Sequence, residues 1–123
     1  KALDFACRES GAIIAEYTAA PIYLNENQSA AHEYLIEFEK EPNDLPHFSA
    51  LLDQELKNLN SDYEAKRSSD IMLHMPVIRS LPRGTFFEWL KSKGKIGGQN
   101  KVPRLFNERK YVDEILTFTK NQT

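Results

Sequence analysis

Residues 32–39 read HEYLIEFE, and their alternation decides the fold. Tyr34, Ile36 and Phe38 fall on one side of an extended chain, and Glu33, Glu37 and Glu39 largely on the other. Period two marks a half-buried strand, because successive side chains of a strand point to opposite faces. Glu41-Pro42-Asn43-Asp44 then makes a turn, with Asn43 or Asp44 placed to cap a helix. Leu45, Phe48, Leu52, Leu56 and Leu59 recur at steps of three and four, with Leu51 and Glu55 at the edge of the stripe. That spacing predicts an amphipathic helix packed on a sheet. Residues 71–78 (IMLHMPVI) read as the next strand, with Pro76 suited to an edge position or a bulge. Strand, long helix, strand is a crossover unit, which pairs its strands in parallel.

Upstream, residues 12–18 (AIIAEYT) are rich in branched and aromatic side chains and predict a strand. Ala19-Ala20-Pro21 interrupts it, and Ile22-Tyr23-Leu24 resumes it as a bent or bulged continuation. Only the polar stretch 25–29 (NENQS) separates this strand from the next, so the two form an antiparallel hairpin. Residues 2–9 (ALDFACRE) predict a short helix with Leu3, Phe5 and Ala6 inward, stopped by Ser10-Gly11. Downstream of the long helix, residues 62–67 (DYEAKR) restart as a second short helix. Thr85-Phe86-Phe87-Glu88 matches a capping box and opens a helix over 86–93. Residues 95–106 read as loop with a short extended stretch, and Asn107 caps a last helix facing inward through Tyr111, Val112, Ile115, Leu116 and Thr119. The expected class is α+β: a single domain with a small mixed sheet of about three to five strands flanked by helices.

The chain has 123 residues, 41% hydrophobic and 28% charged, the size and composition of one ordinary globular domain. Seven Phe and five Tyr supply enough apolar surface to repay the entropy of ordering, which argues against disorder. No apolar run approaches the ~20 residues that a bilayer core requires, so no membrane span is expected. One cysteine, Cys7, allows no internal disulfide, and no secretory leader is visible; both fit a cytoplasmic location. Starting at Lys1 without an initiator Met, the chain reads as a piece of a larger protein.

The net charge of −2 hides an asymmetry. Between Arg79 and Lys110 stand nine basic residues and only Glu88 and Glu108 as acids, a local charge of +7 that leaves −9 elsewhere. Such a stripe attracts anions, phosphates first, or is simply a solvated surface. His32, His47 and His74 have no HExxH or CxxC context, so no metal site is expected, and Cys7 without a paired His reads as an inert thiol. Residues 94–101 (GKIGGQNK) lack the spacing of a Walker loop. They nevertheless open a segment with chemical content. Gly97 and Gly98 permit close backbone approach, Gln99 and Asn100 offer amide donors, and Lys95, Lys101 and Arg104 offer charge, with Pro103 stiffening the stretch. Two readings stay open: an anion-binding loop, or a surface loop whose glycines only complete turns. Phe86, Phe87, Trp89 and Phe106 interleave with cations as in nucleic-acid platforms, but Phe86, Phe87 and Leu90 have core spacing and no RNA-binding strand motif is present.

Three blocks carry a resemblance: NSDYEAKR at 60–67, LPRGTFFEWL at 81–90 and GGQNKVPR at 97–104. Together they resemble the C-terminal domain of the Gretchen Hagen family of auxin-responsive acyl-acid amido synthetases, within the firefly-luciferase-like adenylate-forming superfamily. Gly97-Gly98-Gln99-Asn100 before Lys-Val-Pro-Arg departs from the plant-type wording and is similar to the non-plant branch. The resemblance implies that residues 1–123 form the mobile C-terminal lid of an ATP-dependent ligase. A carboxylic acid would be activated as an acyl-adenylate and passed to an amine or amino acid. ATP and Mg2+ would be bound mainly by a large N-terminal domain, the lid's partner, with AMP as a product. Lys101 would then be the catalytic, phosphate-contacting lysine. Gly97, Gly98, Gln99, Asn100, Arg104 and Lys95 would line the nucleotide phosphates, and Tyr63 and Arg67 would be structural or interfacial. The alternative is a free-standing α+β module that binds an acidic partner or nucleic acid through the 79–110 stripe. That module would bind oligonucleotides with an affinity falling steeply as salt rises.

Overall fold

A computed structural model describes residues 2–23, 30–68, 73–92 and 109–121. The element order is α1 (Ala2–Ser10), β1 (Ile13–Tyr23), β2 (Ala30–Lys40), α2 (Leu45–Leu59), α3 (Ser61–Arg67), β3 (Val77–Leu81), α4 (Thr85–Ser92) and α5 (Lys110–Asn121). Among the described residues the strands form one mixed sheet in the order β1-β2-β3. β1 pairs antiparallel with β2, and β2 pairs parallel with β3, as the hairpin and crossover arguments require. The class is the expected α+β.

The sheet is covered on both faces, and β2 explains why. Tyr34, Ile36 and Phe38 point toward α1 and α2, where Ala6, Phe48 and Leu52 are fully or almost fully buried with them. Phe48 of α2 meets Phe38 edge-on, with centroids 5.4 Å apart and planes at 85°, a favourable aromatic geometry. The opposite face of β2 carries Leu35, which packs with Leu81, Phe86, Trp89, Val112 and Ile115 beneath α4 and α5. Each fully buried side chain of this size is worth about 1.5–3 kcal/mol relative to exposure. A strand covered on both faces cannot keep a solvated side. Glu33 and Glu37, expected at the surface, are 1% and 7% exposed, and of that acidic face only Glu39 is exposed.

Three further expectations are corrected. β1 is continuous through Ala19-Ala20-Pro21, and its irregularities fall instead between Ile13 and Glu16. Pro21 is tolerated because β1 is at the edge of the described sheet, where a missing N–H breaks no central ladder. The third strand, expected over 71–78, runs Val77–Leu81, and of the described residues before it only Leu73 makes an isolated bridge, to Ala30. Pro76 cannot donate to the ladder, and its carbonyl instead accepts a hydrogen bond from Ser49 Oγ of α2 at 2.8 Å. The capping box at α4 does not form. Thr85 Oγ1 donates to Pro82 O at 2.6 Å, while the first turn of α4 is capped by a distant carboxylate. Glu37 accepts from the Gly84 N–H at 2.9 Å and from the Phe86 N–H at 3.1 Å. Gly84 has φ +89, a left-handed conformation natural to glycine, which lets its N–H face β2.

Local signals set the other helix ends. Asp44 caps α2 by accepting from the His47 N–H, and Asn60 caps α3 by accepting from the Asp62 and Tyr63 N–H groups. α1 ends at Gly11, φ +79, whose N–H bonds the Cys7 carbonyl. Of the stripe of α2, Phe48 and Leu52 are buried, Leu45, Leu51 and Leu56 pack partly, and Leu59 is exposed. On α5, Val112 and Ile115 are the fully buried anchors.

Replacing Glu37 with Ala orphans two backbone donors beside the core. It should cost about 1–3 kcal/mol in urea unfolding, whereas Glu88→Gln should stay within about 0.5 kcal/mol. The reverse ranking would restore the capping box as the device that starts α4.

Candidate functional site

The residues singled out for phosphate chemistry, Lys95, Gly97, Gly98, Gln99, Asn100, Lys101 and Arg104, lie outside the described residues. What the structure describes is the frame on either side of them. On the N-terminal side stands α4, fixed by Glu37 at its start and by buried Phe86 and Trp89 along its inner face. On the C-terminal side, α5 is fixed by Val112, Ile115 and the residue just before it, Arg109.

Arg109 makes the densest set of polar contacts in this region. Its Nη1 donates to Pro21 O on β1 at 3.2 Å, and its Nη2 stands 2.8 Å from both Glu33 Oε1 and Asp113 Oδ1. Glu33 takes a second guanidinium from Arg79 of β3. A buried carboxylate costs several kcal/mol to desolvate unless paired, and here two cations from opposite sides pair it. Burial works against the charge on Arg109, but the Glu33 and Asp113 carboxylates outweigh it and raise its pKa.

This pairing bears on the basic stripe. Of the stripe's described side chains, Arg79 and Arg109 are engaged with Glu33, although Arg79 is itself exposed, and Arg83 and Lys91 are exposed. Only part of the described positive charge is therefore available to an outside anion. The aromatic platform is reduced in the same way. Phe86 and Trp89 are core residues, and Phe87 alone of the three is exposed, at 57%.

The NSDYEAKR block builds a second polar network, entirely internal. Arg67 grips Asp53 of α2 with two bonds, Nε to Oδ1 at 2.8 Å and Nη2 to Oδ2 at 2.9 Å. Tyr63 donates its hydroxyl to the same Oδ1 at 2.6 Å, and Lys57 Nζ lies 3.5 Å from Oδ2. The third Arg67 nitrogen bonds Leu73 O, tying α3 to the approach of β3. Burial alone would raise the pKa of Asp53, but the bonds from Arg67 and Tyr63 and the charge of Lys57 hold it below the ordinary carboxylate value. Tyr63 is pushed up, first by burial and then by the Asp53 carboxylate. Tyr63 and Arg67 are thus structural, which was one of the two expected roles. Asp53 was not singled out from sequence, since a lone Asp with Lys57 four residues on looks like an ordinary exposed pair.

His32 is half-buried and stacks on Tyr63, with ring centroids 6.5 Å apart. Burial, and then the charge of Lys66, lowers its pKa from 6.5. Cys7 is half-buried against the α1–α2 cluster, and burial followed by the Asp4 charge raises its pKa, so the thiolate is disfavoured. Among the described residues no group of three His, Cys, Asp or Glu side chains could hold a metal ion. No described helix is long and apolar enough to cross a membrane.

Comparison with known proteins adds an independent finding. The model of the GH3 family C-terminal domain matches residues 1–110. A solved structure of GH3.15 acyl acid amido synthetase is similar over 97% of this chain, with TM-score 0.69 and 16% identity. A second, AtGH3.15 acyl acid amido synthetase in complex with 2,4-DB, is similar over 94%, with TM-score 0.71 and 14% identity. The chain spans 21% and 22% of the lengths of those two proteins, and at such identities the likeness speaks for the fold alone. A search of curated proteins finds no match.

The lowered pKa of His32 fixes the sign of one pH effect. The unfolded chain takes up a proton near 6.5 while the folded chain resists it, so stability should fall as pH drops below about 6.5. His32→Gln should flatten this part of the curve, measured by urea midpoints between pH 7.5 and 5.5. Parallel curves for the two proteins would contradict the assignment.

Proposed function

The chain belongs to the GH3 family C-terminal domains, and from that premise we propose that it is the lid of an ATP-dependent acid–amido ligase. In this reading a carboxylate oxygen attacks the α-phosphate of ATP, forming an acyl-adenylate and releasing pyrophosphate. An amine then attacks the acyl carbon, forming the amide and releasing AMP. The observation that carries the reading is the family match over most of the chain. The sequence of the 94–104 segment supports it, with three cations beside paired glycines and two amides.

The part assigned to this chain is electrostatic. Phosphates in reaction carry negative charge that must be neutralised by groups held in place, and a preorganised cation is worth most where water is excluded. Lys101 is the proposed lysine, with Arg104 as a second phosphate or interdomain contact. Gln99 and Asn100 would orient by hydrogen bonds, Gly97 and Gly98 would allow close approach, and Lys95 would steer ATP. The anchored stems on either side give the segment fixed points of attachment: α4 through Glu37 and α5 through Arg109. A large N-terminal domain would bind ATP and the acid. Among the described residues no group of three His, Cys, Asp or Glu side chains could hold a metal ion, and no step assigned to this chain uses Mg2+.

Lys101→Ala in the full-length enzyme tests the assignment. Carboxylate-dependent pyrophosphate release should fall by at least about a hundredfold, with the thermal midpoint unchanged. The 123-residue chain by itself should release none. An unchanged rate in the variant would remove Lys101 from the mechanism.

A further inference from the structure

We propose that the cleft between α1 and the outer edge of β1 binds an extended segment of a partner protein in which apolar and basic residues alternate, added to the sheet as a further strand. Among the described residues β2 is the one strand paired with β1, and a strand with a neighbour on one side only is a template for pairing on the other. A cleft of about 460 Å3 is lined by five consecutive residues of β1, Ile13 to Tyr17, and by Leu3, Asp4 and Cys7 of α1. Successive side chains of a strand point to opposite faces, so a cleft that touches all five runs along the strand's edge and not over one face. A groove beside a strand edge holds extended peptides through main-chain hydrogen bonds, with pockets for alternate side chains.

The backbone along this edge is turned outward. The Tyr17 N–H donates to the Glu16 carboxylate at 3.0 Å instead of into the ladder with β2, and the Ile14 N–H is directed to the Cys7 sulfur. The register with β2 shifts on both sides of Ile14, and Ile13, at 49%, and Ala15 are exposed. Farther along, Arg109 takes Pro21 O and α5 packs against β1, so the open length is the N-terminal half of the strand. Charge selects the occupant. The lining holds two carboxylates, Asp4 and Glu16, and no Lys or Arg. A second copy pairing β1 to β1 would set two such acidic linings together, and charge on an edge resists self-pairing in this way. A basic segment does the reverse. Its cation draws the Glu16 carboxylate off the Tyr17 N–H, which then meets a carbonyl of the incoming strand. Its apolar side chains lie against Leu3, Cys7 and Ile14, which already pack on the α1–α2 cluster.

Calorimetric titration of this chain with the acetylated, amidated pentapeptides KVKVK and EVEVE tests the proposal. KVKVK should bind saturably at one site, and EVEVE at least about tenfold more weakly. An added strand turns every second N–H toward its neighbour. Methylating either the valine or the lysine amides should therefore weaken KVKVK about tenfold, while the other pattern leaves it within about twofold. Glu16→Lys should reverse the order of KVKVK and EVEVE. In the unsubstituted chain, alkylation of Cys7 by iodoacetamide should slow as KVKVK saturates, because the thiol lines the cleft. Absence of saturable KVKVK binding, equal binding of the two peptides, equal effects of the two methylation patterns, or alkylation indifferent to bound peptide would overturn it. A dimer in sedimentation that KVKVK dissociates would also overturn it, by giving the edge to a second copy. The titration involves neither ATP nor Lys101, so its failure and failure of the ligase reading are separate results.

Discussion

A carboxylate buried in the middle of a sheet constrains everything around it. Glu33 is 1% exposed on the central strand of the described sheet, and an ionised group there is tolerable only with matched cations. The cations come from elements far along the chain: Arg79 on β3, and Arg109 at the head of α5. Because Arg109 also reaches Pro21 O on β1, one cluster ties all three strands to the last helix. Apolar packing of Leu35, Trp89, Val112 and Ile115 supplies the bulk of the adhesion on that face. Packing alone is non-directional, whereas paired charges and hydrogen bonds specify which residue sits where.

Glu37, four residues on and on the same face of β2, does the equivalent for α4. Its two oxygens receive backbone N–H groups at the start of that helix, where the helix dipole also favours negative charge. The second helical layer is thus joined to β2 at two buried carboxylates, one for each helix. Functionally this matters because the segment richest in cations and glycines runs between those helices in sequence. Under the proposed function, a segment that presents charge to phosphates is served by flanking helices whose positions are fixed.

Much of this was legible in the chain, for reasons that differ residue by residue. The alternation of Tyr34, Ile36 and Phe38 and the stripe of Phe48 and Leu52 report local periodicity, so strand, helix and parallel pairing could be read directly. Asp44, one of the two caps the turn offered, does cap α2, again a local property. Glu33 and Glu37 misled because acidic residues at alternate positions look solvated, and burial depends on helices that arrive much later in the chain. Leu35 lying between them was the available signal: an apolar residue on the acidic face, and part of an unbroken Tyr34-Leu35-Ile36 run, is what a strand covered on both sides shows. Asp53 hid for the same reason, since its partners Tyr63 and Arg67 belong to another helix. The residues assigned to phosphates, Lys101 first among them, rest on the sequence and its family, because they lie outside the described residues.

The account turns on charge pairing at Glu33, and a double-mutant cycle between Glu33→Gln and Arg109→Met, read by urea unfolding, measures it most directly. A coupling energy above about 1 kcal/mol is expected for charges in contact on a buried strand. Additivity of the two substitutions within about 0.3 kcal/mol would show that the pair is incidental and that apolar packing alone sets α5 on the sheet.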